Sequence, residues 1–262
     1  MTLTRSELAK ALRELGIAPA GVVMVHTRMS ALGWVAGAAE TIVHALLDAV
    51  GPEGTVAAYA SWQEHVYEPE QWPAEHRDAY RAEPPIFDLA VSESSRDHGR
   101  VPERVRTWPG ARRSWHPEAS VAAVGRKAGW LTRDHRAVDS YGPDSPFGRL
   151  CDAGGQVLML GAPLGTLSIL HHAEAIAHVP DKRTRTFTVA TTQGDLTYTD
   201  IDTEHGAFPY DERDGDAFEA IGRAALAAGI GHEGAIGDAT CHLFPARELT
   251  EFAVAWMEER FS

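Results

Sequence analysis

The stretch Val22-Val-Met-Val25-His26-Thr27-Arg28, its loop through Ser30, Gly33 and Gly37, a helical span over 38–50, the turn Gly51-Pro-Glu-Gly54 and the apolar run from Thr55 to Ala60 decide the fold. Continuous apolar runs of this length read as buried strands, because a strand covered on both faces has no solvent side to fill with polar residues. Working outward, Thr4 with Glu7 three residues on is a capping box, and Leu8, Leu12 and Leu15 recur at helical spacing, so an amphipathic helix opens the chain. Downstream, a helix is expected near 101–108, strands at 120–124 and 156–160, and a helix over 168–179. Phe187–Thr192 and Thr197–Ile201 flank Gln193-Gly194-Asp195 as a hairpin. Helices near 214–229 and 246–260 bracket a last strand at 240–244. Strands alternating with helices early, and a hairpin late, predict a mixed α/β (α+β) single domain over 1–262 with a partly parallel central sheet flanked by helices. Pro69, Pro73, Pro84 and Pro85 make 64–85 too proline-dense for a regular element, so it is expected as an irregular, aromatic, folded excursion.

The 262 residues, 44% hydrophobic and 23% charged, suffice for a substantial core and exclude disorder. Acidic residues outnumber basic ones 37 to 24, a formal charge of −13, which argues against nucleic acid or an anionic membrane as partner and favours a cationic one. Two cysteines, Cys151 and Cys241, form neither a disulfide framework nor a zinc-site spacing, pointing to a reducing compartment. With no apolar run near the roughly 18 residues of a membrane span and no secretory block, a cytoplasmic protein is expected.

The phosphate-loop lysine motif, the G-x-S-x-G elbow, G-x-G-x-x-G and H-E-x-x-H are all absent. What remains is rich in histidine and carboxylate. In Leu160-Gly-Ala-Pro-Leu-Gly-Thr-Leu-Ser-Ile-Leu-His171-His172-Ala-Glu174 a strand ends, a Gly/Pro loop turns and a helix begins. Adjacent helical residues point about 100° apart, so one of His171 and His172 at most faces a given cleft, and the reading takes His171, His172 and Glu174 not to share a helix face as metal ligands would. In Ile201-Asp202-Thr-Glu204-His205, Asp202 and Glu204 can face one way from extended backbone. They read either as solvated turn residues or as partners of a catalytic histidine.

Taken in order, Val25-His26-Thr27 with Ser30, Gly33, Val35 and Gly37, then Gly51-Pro-Glu-Gly54-Thr55, Ser61-Trp62, Arg113-Ser114-Trp115-His116-Pro117 with Ser120, Ser145-Pro146, Leu170-His171-His172-Ala173-Glu174 and Ile201-Asp202-Thr203, the sequence resembles the aminoglycoside 3-N-acetyltransferase family over nearly its whole length. It departs at Thr27-Arg28 and Gly37-Ala38, where members often carry two small hydroxyl residues and a double glycine. The resemblance implies acetyl-CoA as cosubstrate, an aminoglycoside as acceptor, the antibiotic N-acetyltransferase fold rather than the GCN5-related one, and a role in antibiotic resistance. It implies His171 as general base for direct attack on the thioester, with Glu204, or Asp202 as runner-up, as its acid. Ser30, Leu32, Gly33, Val35 and Gly37 would follow the pantetheine and pyrophosphate, where a loop entering a helix presents backbone amides; a plain strand-to-helix turn is the other reading. Thr166 would lie near the thioester. A polyammonium substrate calls for acidic lining, expected from Glu64, Asp144, Asp202 and Glu204, with Trp62 as a platform for a sugar ring or else a core residue. No metal is expected, and the chain is expected as a monomer or homodimer. The competing classes are an acidic polycation-binding protein without catalysis, an N-acetyltransferase for another amine, and a metal-dependent hydrolase using the 13 histidines.

Overall fold

The computed structural model describes residues 2–62, 72–210 and 216–261. The strands in chain order are β1 (Thr2–Leu3), β2 (Val22–Thr27), β3 (Trp34–Val35), β4 (Thr55–Tyr59), β5 (Arg112–Arg113), β6 (Val121–Gly125), β7 (Gln156–Leu160), β8 (Thr184–Thr191), β9 (Gly194–Ile201), β10 (His232–Ile236) and β11 (Ala239–Pro245). The helices are α1 (Arg5–Leu15), α2 (Ala38–Val50), α3 (Ala74–Ala82), α4 (Arg100–Arg106), α5 (Ala128–Thr132), α6 (Pro146–Asp152), α7 (Ile169–Ile176), α8 (Ala217–Ala227) and α9 (Ala246–Phe261). Seven strands form the main sheet in the order β10-β11-β7-β2-β4-β6-β5. Its centre, β7-β2-β4, is parallel and its flanks are antiparallel, so the sheet is partly parallel as expected.

Side chains along the central strands alternate between two cores. Val22, Met24, Ala57, Tyr59, Val157 and Met159 pack with α7 and α9, whereas Val23, Val25, Val56, Ala58, Leu158 and Leu160 pack with α1, α2 and α4. Both faces are covered, which is why these strands carry unbroken apolar runs. The chain leaving β2 goes to α2 on one face and the chain leaving β7 goes to α7 on the other. A crevice therefore opens at the carboxyl ends of β2 and β7, the usual place for a ligand in such sheets.

The capping box at α1 is present, with Thr4 Oγ1 accepting from the Glu7 N–H and Glu7 reaching back to the Thr4 N–H. Several elements differ from the sequence reading, which also named neither α5 nor α6. Residues 74–82 form α3, a helix fitted between Pro73 and Pro84, because the prolines punctuate that stretch without entering it. Strand β10 pairs with β11; its Gly234 and polar, exposed residues give no alternation to read. The hairpin β8–β9 does not join the main sheet but stands as a separate ribbon. Phe187, Val189 and Tyr198 pack there against Trp62 and Phe87 in a third core, with Thr186–Thr199 and Thr188–Thr197 hydroxyl pairs on the outer side.

Candidate active site

A cleft of about 670 Å³ lies at the carboxyl ends of β2, β4 and β7. His26, Thr27 and Arg28 come from the end of β2, Tyr59 from β4, Asp97 and His98 from the segment before α4, Thr166 and Ser168 from the loop after β7, His171 from α7 and Phe218 from α8. Gly161 makes the turn into that loop at φ +69°, where a Cβ would come within 3.1–3.2 Å of Ala239, Ala31 and the Arg28 carbonyl. The segment Leu164–Thr166 then makes a single 3₁₀ turn that delivers the chain to α7.

Within the cleft His171 is oriented from behind. Its Nδ1 lies 2.8 Å from Oε2 of Glu174, one helical turn on. Glu174 is fully buried and its other oxygen accepts from the Ala207 N–H at 3.2 Å and the Tyr210 hydroxyl at 2.9 Å. A carboxylate oxygen can only accept, so in the neutral ring Nδ1 of His171 carries the hydrogen toward Glu174 and Nε2 keeps its lone pair. Tyr141 and Phe218 pack on the ring, with centroids at 5.1 and 4.9 Å. His172 points elsewhere and donates from Nδ1 to the Tyr141 carbonyl at 2.6 Å.

His26 is the second imidazole of the cleft. Its Nε2 is buried without a hydrogen-bond partner among the described residues, and burial, with His98 nearby, pushes its pKa down to about 3. It is a neutral ring across the physiological range. His98 Nε2 in turn lies 2.5 Å from the Ser61 hydroxyl. Among the described residues no group of three His, Cys, Asp or Glu side chains is disposed to hold a metal ion.

A family model described as aminoglycoside 3-N-acetyltransferase matches residues 24–258. The chain is 47% identical to aminoglycoside N(3)-acetyltransferase VII of Streptomyces paromomycinus, over 98% of this chain and 92% of that protein. The chain belongs to the aminoglycoside 3-N-acetyltransferase family. Its fold is similar to the solved structure of AAC-IIIb in binary complex with CoASH, with a TM-score of 0.88 and 40% identity, covering 100% of this chain and 98% of that one. Sisomicin-bound AAC-VIa gives a TM-score of 0.89 at 33% identity, covering 100% of both chains.

His171, Ser30 and Thr166 line the cleft. The Thr166 hydroxyl donates to the Pro163 carbonyl at 2.8 Å, so its hydrogen is already committed. Leu32 and Val35 are buried in the core beside α2 rather than in the cleft, Gly33 is outside the lining, and Gly37 lines an adjoining cavity. Glu204 ion-pairs with Arg185 of β8 instead of reaching His171. Asp202 is a turn residue, accepting from the N–H groups of Glu204 and His205 and pairing with the His205 ring at 3.0 Å. Trp62 belongs to the third core, Asp144 is exposed and not among the residues that line the cleft, and Glu64 lies outside the described residues. Among the described residues the cleft holds one carboxylate, Asp97, and one guanidinium, Arg28, so the acidic lining expected from Asp144, Asp202 and Glu204 is not found there.

Glu174 was missed although its spacing was visible. The reading grouped it with both histidines and rejected the trio for lack of a common face, yet His171 and Glu174 alone are three apart and do share one.

Proposed function

We propose that this chain transfers the acetyl group of acetyl-CoA to the 3-amino group of the 2-deoxystreptamine ring of aminoglycosides by direct attack, with His171 as general base and Glu174 as its orienting acid. The observation that carries this reading is the 2.8 Å His171–Glu174 pair on the wall of the cleft, with Nε2 as the ring nitrogen left to take a proton. The names of the relatives, one solved with CoASH and one with sisomicin, support the cosubstrate and the acceptor class.

The neutral amine nitrogen attacks the thioester carbonyl carbon, and the attacking nitrogen gives its proton to His171 Nε2. The carbonyl oxygen gains charge, then returns its electron pair as the carbon–sulfur bond breaks. The thiolate leaves as the anion and takes up the proton from His171, yielding the amide and CoASH. Glu174 stabilises the imidazolium during this exchange. No covalent enzyme intermediate is required, because a thiolate is already a competent leaving group.

The test is release of free thiol from acetyl-CoA in the presence of neomycin or gentamicin, with the acetyl position fixed by NMR. Acetylation at the 3-amino group, lowered about 10²- to 10⁴-fold in His171→Ala, is expected. Acetylation elsewhere, or wild-type turnover in His171→Ala, overturns the reading. A growth advantage on the same drugs in cells expressing the chain would establish resistance as a consequence.

A further inference from the structure

A separate cavity of about 230 Å³ lies where α6, α7 and α9 meet, and it shares no lining residue with the cleft. The buried side chains of Cys151, His172 and Thr250 form its inner wall, and the exposed Asp152, Arg247 and Glu251 form its mouth. Two of the inner polar groups satisfy each other. Thr250 Oγ1 donates to the Ala246 carbonyl at 2.8 Å, so the Cys151 thiol is the donor to Thr250 Oγ1, 3.4 Å away. His172 is different. It is 4% exposed, and its Nδ1 donates to the Tyr141 carbonyl at 2.6 Å, which leaves the lone pair of the neutral ring on Nε2. That nitrogen has no hydrogen-bond partner among the described residues and is not sealed from the cavity. A nearly buried acceptor left open in this way favours any molecule that brings it a donor.

We propose that this cavity binds a single-ring aromatic molecule that carries no negative charge and whose hydroxyl donates to His172 Nε2. A cavity on the order of 150 Å³ admits one benzene ring, so 230 Å³ takes one substituted ring and excludes the far larger coenzyme A or an aminoglycoside. Ile176 and the Cys151 sulfur supply apolar contact, the sulfur staying a thiol because burial raises its pKa. At the mouth Arg247 is already paired with Asp152 at 3.1 Å, and Glu251 has no ion pair among the described residues. The entrance is therefore net negative and turns carboxylates away.

Fluorine NMR titration of 4-fluorophenol, 4-fluorotoluene and 4-fluorobenzoate into the wild type, with and without coenzyme A, tests it. 4-Fluorophenol should bind saturably. 4-Fluorotoluene, with a methyl group in place of the hydroxyl, should bind about tenfold more weakly, as for one lost hydrogen bond, and 4-fluorobenzoate more weakly still. Coenzyme A should displace none of them. On the wild type, the backbone amide shifts caused by the phenol should concentrate on Cys151, His172 and Thr250, and Ile176→Trp, which fills the cavity, should abolish binding. The absence of saturable binding overturns the proposal. So does equal affinity for the phenol and the toluene, which would show that no donor meets His172, or a benzoate that binds as well as the phenol. Displacement by coenzyme A, or amide shifts centred on the cleft, would place the ring in the cleft and overturn it too. Because the amide shifts are read on the wild type, they decide the matter even if Ile176→Trp fails to fold.

Discussion

The tautomer of His171 is set by a group that can only accept. With its Nδ1 hydrogen held on Glu174 at 2.8 Å, Nε2 presents a lone pair to the cleft without any rearrangement. Removing the ring in His171→Ala should lower kcat/KM about 10²- to 10⁴-fold while coenzyme A still binds, measurable by steady-state thiol release and titration on one preparation. Glu174→Gln keeps the shape and an acceptor for Tyr210 and Ala207, but its amide can donate to Nδ1, which favours the tautomer with hydrogen on Nε2. A loss of kcat in Glu174→Gln, with a displaced pH profile and little change in KM, is the expected signature of an orienting acid. Glu204→Gln should leave turnover nearly unchanged, since Glu204 is paired with Arg185; a loss as large as that of Glu174→Gln would restore Glu204 to the site.

At the scale of elements, the start of α8 forms one wall of the cleft. Asp216 caps it by accepting from the Glu219 N–H, and Phe218 in its first turn packs on the His171 ring. The loop after β7 approaches this cap closely: a Cβ on Gly165 would lie 2.0 Å from the Asp216 carboxylate, and the Gly165 N–H donates to Glu219 at 3.0 Å. Loop and helix therefore hold each other, and through Phe218 they hold the His171 ring. Asp216→Ala should cost about 1 kcal/mol, seen as a fall in Tm of about 2–4 °C. It should also lower kcat, because Phe218 loses the anchor that keeps it against His171. A normal Tm with normal kcat would show that the cap does not support the wall.

Across the whole molecule, neutral buried histidines make stability depend on pH. Nδ1 of His116 accepts from the Glu118 and Ala119 N–H groups at 3.1 and 2.8 Å, and burial pushes its pKa down to about 4 from 6.5. His135, stacked on it at 5.0 Å, moves in the same direction through burial and the neighbouring His116. Between pH 6.5 and about 4 the unfolded chain takes up a proton that the folded His116 site refuses, so stability falls as the pH drops through that window. The loss from His116 alone is about 3 kcal/mol. Urea midpoints at pH 7 and 4.5 should show it, and His116→Asn should flatten the slope while lowering stability at neutral pH. What the sequence determined by itself was local: the buried strands around Met24, Ala57 and Leu158, the capped first helix, and His171 at the start of a helix after a Gly/Pro loop. Apolar period and capping residues act within a few positions, so they can be read in order along the chain. The Glu174 spacing belonged to that legible set. Only the tertiary structure decided that Ala207 and Tyr210 close over Glu174, that β8 brings Arg185 to Glu204, and that the ribbon covers Trp62 with Phe187 and Tyr198. Each of these joins residues distant in sequence, and their meeting is fixed by how the ribbon and helices pack on the sheet, a competition among long-range burials that no local pattern records.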